Sequence, residues 1–149
     1  MTKETIGLKV KYASKSLRTY INNKIHTDAG VTLSGTEGMV MRFVHEHQEE
    51  VVSAKMLMER FRVSKATMSQ TLTGLIRKGL IEYAEWEKDG RVKRVILTSE
   101  GESLEKRVDA VLQECDRKIE EHFTEEELNE LARLLDRLKN AVSDDSTKE

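Results

Sequence analysis

The side chains with the most chemistry to offer lie between residues 54 and 98, and they offer charge and hydrogen bonding rather than bond-making. Lys65, Ala66, Thr67, Ser69, Gln70, Thr73 and Arg77 are small, hydrogen-bonding or basic, with no acid among them. On a helix, Met68, Leu72, Leu75 and Ile76 form an apolar stripe. Ala66, Gln70, Thr73 and Arg77 then occupy the opposite face, with Lys65 and Ser69 near the N-terminal end. Such a face suits base edges in a major groove. Glutamine pairs bidentately with adenine, threonine or alanine touches a thymine methyl, and lysine reaches guanine. A second cluster, Lys88, Asp89, Arg91, Lys93 and Arg94, surrounds an Asp-Gly pair. An arginine on a projecting loop suits the negative potential of a narrow minor groove. Asp89 is expected to order Arg91 across the turn, since a free carboxylate would repel phosphate.

Charge supports the same partner. Residues 54–94 hold ten Lys/Arg and five Asp/Glu, a net of +5, in a chain whose formal charge is -2. A basic island in an otherwise acidic chain points to a local anionic ligand. Other chemistries lack their motifs. There is no Gly-rich phosphate loop, nucleophile elbow or paired His/carboxylate motif, so no enzymatic activity and no cofactor are expected. His45 and His47 are two apart on a helix and point to nearly opposite sides, while His26 and His122 stand alone. With no CxxC or HxxxH spacing, no metal site is expected. Cys115 is the one cysteine, which excludes an internal disulfide and fits a reducing cytosol. No apolar run approaches the ~20 residues of a membrane span, and Met1-Thr2-Lys3-Glu4 does not read as a secretory signal, so a cytoplasmic protein is expected.

These residues need elements to hold them. Charged residues make up 35% of the chain and proline is absent, which predicts a mainly helical protein. Ile6, Val10, Leu17, Ile21 and Ile25 predict a first helix from about Glu4 to Ile25, broken by His26-Thr27-Asp28-Ala29-Gly30. Ser34-Gly35-Thr36-Glu37 is a capping box. It opens a second helix to about His47 with Val40, Phe43 and Val44 inward. Ser53 caps a short third helix through Ala54, Leu57, Met58 and Phe61. After a brief turn Ser64 caps a fourth, ending near Lys78, with Gly79 just beyond. Ile81–Trp86 and Val92–Leu97 read as two strands joined by the loop 87–91. Thr98 or Ser99 caps a long helix with Leu104, Val108, Val111, Leu112, Cys115 and Ile119 as its stripe. Thr124-x-x-Glu127 opens the last, with Leu128, Leu131, Leu134, Leu135 and Leu138 inward. The fold class is therefore mainly α with a small β-hairpin wing, a winged helix-turn-helix in which 64–78 is the recognition helix.

The chain here resembles the MarR family of transcription regulators. The resemblance lies in Asp89-Gly90-Arg91-Val92-Lys93-Arg94-Val95-Ile96-Leu97-Thr98-Ser99-Glu100-Gly101 at the wing and the helix after it, and in Leu75-Ile76-Arg77-Lys78-Gly79-Leu80-Ile81 at the entry to the wing. Leu33-Ser34-Gly35-Thr36-Glu37 and Phe123-Thr124-Glu125-Glu126-Glu127-Leu128 extend it over nearly the whole chain. It implies one domain over 1–149. Residues 1–30 and 99–142 would be dimerisation helices, 34–98 the winged-helix DNA-binding unit and 143–149 a flexible tail. It implies an obligate homodimer on a near-palindromic operator in double-stranded DNA, with half-sites ~10 bp apart. Arg91 would enter the minor groove, supported by Asp89. It also implies a repressor released by a small aromatic effector. Met39, Phe43, Met56, Met58 and Trp86 are suited to line an effector cavity, and equally to plain core packing, so no ligand residue is assigned. One place departs from the pattern. The turn Phe61-Arg62-Val63-Ser64 has arginine where glycine or asparagine is usual; a left-handed Arg62 would cost roughly 1–2 kcal/mol.

Dimerisation also has an argument from the residues alone. The first and last two helices carry long apolar stripes beside a small winged unit, more than one such unit covers. The readings from other classes are a helical protein-interaction module whose winged helix lacks DNA affinity, and a thiol- or metal-responsive member of the same family. Cys115 sits on an apolar stripe without an activating base, as a structural thiol does.

Overall fold

The computed structural model describes residues 3–143; the flexible tail expected over 143–149 lies outside them, except for Ser143. The order of elements is α1 (Ile6–Ala29), α2 (Gly35–Glu46), α3 (Ala54–Phe61), α4 (Lys65–Arg77), β1 (Ile81–Trp86), β2 (Asp89–Leu97), α5 (Ser99–Glu120) and α6 (Glu125–Ser143). Helix starts coincide with the expected caps. Ser34, Ser53 and Ser64 each accept a backbone amide three residues on, and Thr124 and Glu127 exchange bonds at the start of α6. Thr98 caps α5, accepting from the Gly101 amide.

Helix α1 is longer than its sequence predicts. It runs through His26-Thr27-Asp28 to Ala29 and stops at Gly30, which is left-handed at φ 68°. The polar run does not break the helix; within it Thr27 Oγ1 donates to the Asn23 carbonyl, and Thr32 Oγ1 pairs with His26 Nδ1. Only the glycine, free of a Cβ penalty, turns the chain.

Residues divide into two units, Met1–Val111 and Leu112–Glu149. The boundary falls inside α5 because its first turns join the core of the first unit through Leu104 and Val111, with Val108 beside them. That core also draws on Ile25, Leu33, Val40, Met41, Phe43, Val44, Val52, Leu57, Met68, Leu72, Leu75, Leu80, Ile81 and Val95. Fully buried, Met41 belongs with Val40, Phe43 and Val44, beyond the stripe its sequence predicts. In the second unit Cys115 is buried, Leu112 is exposed, and α6 buries no residue. Leu131, Leu134 and Leu135, expected inward, are 39–48% exposed, and Leu128 and Leu138 are only half-buried. The stripe is correctly spaced but its leucines stay open to solvent.

The sheet is a two-stranded antiparallel hairpin. Its root is fixed by the Val95 amide donating to the Val52 carbonyl at 2.7 Å. The joint to α5 is tighter still. Thr98 donates from its amide to Leu80 and from its hydroxyl to Gly79, both at carbonyl oxygens. A Cβ on Gly101 would collide with the Leu80 carbonyl, so only glycine lets α5 start this close to the wing.

Candidate nucleic-acid interface

Helices α3 and α4 are joined through Arg62, whose backbone is left-handed at φ 52°, ψ 46°. Its amide donates to the Met58 carbonyl and closes α3. Ser64 then restarts the chain as α4, its hydroxyl accepting from the Thr67 amide and donating to Thr67 Oγ1. The buried stripe of α4 is Met68, Thr71, Leu72 and Leu75. This corrects the predicted stripe in one place. Ile76 is 41% exposed and Thr71 takes its place. The spacing i, i+3, i+4, i+7 from Met68 passes through 71 and not 76, and the Thr71 hydroxyl is satisfied by donating to the Thr67 carbonyl.

Lys65, Ala66, Thr67, Ser69, Gln70, Thr73 and Arg77 are all exposed. Ser69, Gln70, Thr73 and Arg77 border one shallow depression with Gly74. Apart from Thr67, which is engaged in the cap, their side chains make no hydrogen bond among the described residues. The outer face of α4 is thus a row of unengaged donors and acceptors.

The hairpin differs from its expected form. The turn is Glu87-Lys88, and Asp89-Gly90-Arg91 belong to β2 rather than to the tip. Gly90 is not in the left-handed region, so the Asp-Gly pair does not make the expected turn. Pairing runs from Ile81↔Leu97 to Glu85↔Lys93 and then jumps to Trp86↔Asp89. One step on β1 faces four on β2, leaving Gly90, Arg91 and Val92 out of register as a bulge, a device that re-aims a strand. Asp89 Oδ1 accepts from the Arg91 amide at 3.0 Å and from its Nε at 3.2 Å. The Arg91 side chain remains 93% exposed. The carboxylate thus holds the base of the guanidinium and leaves its far end to solvent.

The other basic side chains of the wing separate. Lys88 lies over the Trp86 ring at 6.0 Å and Lys93 over the Tyr83 ring at 5.9 Å, and both are exposed. Arg94 turns inward: its Nη2 donates to the Gln48 carbonyl at 2.7 Å and its Nε is buried. It ties the wing root to the chain just after α2, so the structure does not place it with Arg91.

Lys78 is likewise taken up by the fold. Its Nζ donates to Glu37 Oε1 and Oε2 at 2.8 and 2.9 Å and to the Thr32 carbonyl at 2.8 Å. Burial pushes the Glu37 carboxyl up, but bonds from Lys78 and the Ser34 amide, with the Lys78 charge, outweigh it and hold the group below its ordinary value. A Cβ on Gly74 would stand 3.0 Å from Glu37 Oε2, so a glycine in mid-α4 makes room for the carboxylate that fixes the helix end.

A second cluster joins α2 to α5. Glu105 is 1% exposed on α5. Arg42 Nε on α2 stands 3.5 Å from its Oε2, and Arg42 Nη2 lies 2.7 Å from Asp109 Oδ1. Next to them His45 Nδ1 lies 3.3 Å from Glu102 Oε2, whose partner oxygen accepts from Gln48 at 2.6 Å. Burial raises the Glu105 carboxyl above its ordinary value despite the Arg42 charge. The signal was complementary spacing: acids at 102, 105 and 109 on one helix and basic side chains at 42 and 45 on another. Among the described residues no group of three His, Cys, Asp or Glu is placed to hold a metal, and no helix is long and apolar enough to cross a membrane.

Residues 30–92 match the sequence model of the MarR family. No curated protein matches the chain. Solved structures do. The complex of Staphylococcus aureus MepR with DNA is 19% identical, with a TM-score of 0.78 over 94% of this chain and 99% of that one. MepR alone, a transcription regulator of the Staphylococcus aureus multidrug efflux pump MepA, is 18% identical with a TM-score of 0.72, over 93% of this chain and 99% of that one. MepR of the same organism bound to ethidium bromide is 19% identical with a TM-score of 0.63, over 93% and 97%. At these identities the likeness is one of fold.

Proposed function

We propose, from the match of residues 30–92 to the MarR family model and the winged helix built by α2 to β2, that the chain is a sequence-specific DNA-binding transcription regulator. The observation that carries this reading is the pairing of two surfaces: the acid-free outer face of α4, and Arg91 held at its Nε by Asp89 yet 93% exposed. In this reading α4 lies in the major groove. Gln70 and Thr73 face base edges, with Ala66 and Ser69 beside them, and Lys65, Thr67 and Arg77 flank them. Arg91 enters the adjacent minor groove, while Lys88 and Lys93 meet phosphates. Arg94 contributes by holding the wing root. The work is binding, with no reaction.

The partner through 1–30 and 99–142 is a second copy of the chain. Ile6, Tyr12 and Leu17 on α1 and Leu131, Leu134 and Leu135 on α6 are exposed apolar side chains, and a two-fold dimer offers each a partner. Two copies present two α4 helices, which predicts a near-palindromic operator with half-sites ~10 bp apart. Regulation is by repression in the cytoplasm. A small aromatic effector, the class to which the ethidium bound by MepR belongs, releases the DNA by favouring a dimer whose α4 helices no longer match that spacing.

Selection of bound duplexes from a random pool tests the reading, with mobility shifts at two salt concentrations after it. Enrichment of a two-fold symmetric site, bound more weakly at higher salt, is expected. No enrichment and no shift at low salt would leave the winged helix as a protein-contact module.

A further inference from the structure

Among the described residues Arg62 is the one non-glycine residue with a positive φ. At φ 52° a Cβ is crowded by the backbone, and glycine or asparagine would sit there with less strain. The turn does not require arginine. It is held by the amides of residues 62 and 63, both directed at the Met58 carbonyl, and glycine would supply the first equally well. Nor does the side chain serve the fold. It is exposed, and among the described residues it makes no hydrogen bond or ion pair, not even with Glu59 three residues upstream. Backbone strain that brings the fold no contact directs attention to a ligand of the side chain. The position agrees. Arg62 stands two residues before the Ser64 cap of α4, and Arg60 and Lys65 on either side are basic and exposed.

We infer that Arg62 binds a backbone phosphate of the DNA at the edge of the groove that α4 occupies. The inference rests on the DNA-binding reading above. A guanidinium suits a phosphate because its planar donors match two oxygens at once. Such a contact sets register and affinity and carries no base preference of its own.

The test compares the full-length chain with Arg62→Gly and Arg62→Lys. The probes are a duplex selected by the wild-type chain and a mixed-sequence duplex of equal length. Affinity is measured across about 50 to 200 mM KCl, and the thermal midpoint alongside it. Arg62→Gly relieves the left-handed strain, so its midpoint should rise. Its DNA affinity should nonetheless fall roughly tenfold at low salt on both duplexes. The slope of log affinity against log salt should shrink by about 1.8 for a dimer that loses one phosphate at each half-site. Arg62→Lys keeps a point charge and should retain most of that slope. An Arg62→Gly chain with wild-type affinity and slope would overturn the inference. So would a loss confined to the selected duplex, which would make Arg62 a reader of bases. Absence of salt-sensitive binding by the wild-type chain would remove the DNA-binding reading, and this inference with it.

Discussion

Helices α4 and α6 carry the same kind of information in sequence and meet opposite fates. Each has aliphatic side chains at helical spacing. In α4 the stripe Met68, Thr71, Leu72, Leu75 is buried, with Leu75 at 0% exposure. In α6 the leucines at 131, 134 and 135 stay open to solvent. An amphipathic pattern states that a face needs cover; it does not state whether the cover belongs to the same chain. For α4 the cover is the core that runs from Ile25 to Val111. For α6 the proposed cover is a second copy.

That contrast can be broken by substitution. Leu75→Ala should lower the unfolding free energy by about 2–5 kcal/mol, since it empties a fully enclosed site. The loss should be the same at every protein concentration in chemical denaturation. Replacing Leu134 and Leu135 together by Glu should act on association instead, weakening it about thirtyfold or more. Sedimentation velocity should then show monomer for the variant and dimer for the wild-type chain, with helix content retained. A dimer that survives both substitutions would show that α6 is covered in some other way.

Acidification separates two carboxylates that hold α2. Glu37 is held below its ordinary value of 4.5. Its contribution to stability is therefore complete above that value and is lost as pH falls through its lower folded value. Glu105 is raised above 4.5 by burial, so its ionised form costs stability at neutral pH, and that cost is relieved as pH falls through the raised value. Denaturant midpoints measured from pH 7 downwards should show a gain before the acid loss. Glu105→Gln should remove the gain, and Glu37→Gln should remove part of the loss. Unchanged profiles in both variants would separate these two groups from the acid response. The smallest effect belongs to Ile76→Ser, within about 0.5 kcal/mol, because Ile76 lies on the open face of α4; thermal unfolding measures it directly.

Much of this was legible in the chain. Capping serines at 34, 53 and 64 marked helix starts because a hydroxyl three residues before an amide is a local bond, written in local sequence. The outer face of α4 was legible for the same reason. Other features were not local. Lys78 and Arg94 belong to the basic island, yet they bind Glu37 and the Gln48 carbonyl across 41 and 46 residues. Their fate depends on which distant acceptor the fold brings near. The wing tip differs from its sequence expectation for a related reason. Asp-Gly reads as a turn in isolation, whereas cross-strand pairing puts the turn at Glu87-Lys88 and makes a bulge of Gly90, Arg91 and Val92.

Element types, the helix-turn-helix order and the basic character of 54–94 are written in the chain itself. These arise from propensities, caps and spacings that act over a few residues. Which charges stay available depends on the folded core. It left Arg91 exposed and drew in Arg94, joined Lys78 to Glu37, buried Glu105 between α2 and α5, and left the leucines of α6 without cover. Burial and ion pairing depend on neighbours far away along the chain, so they are settled only when the whole core has formed.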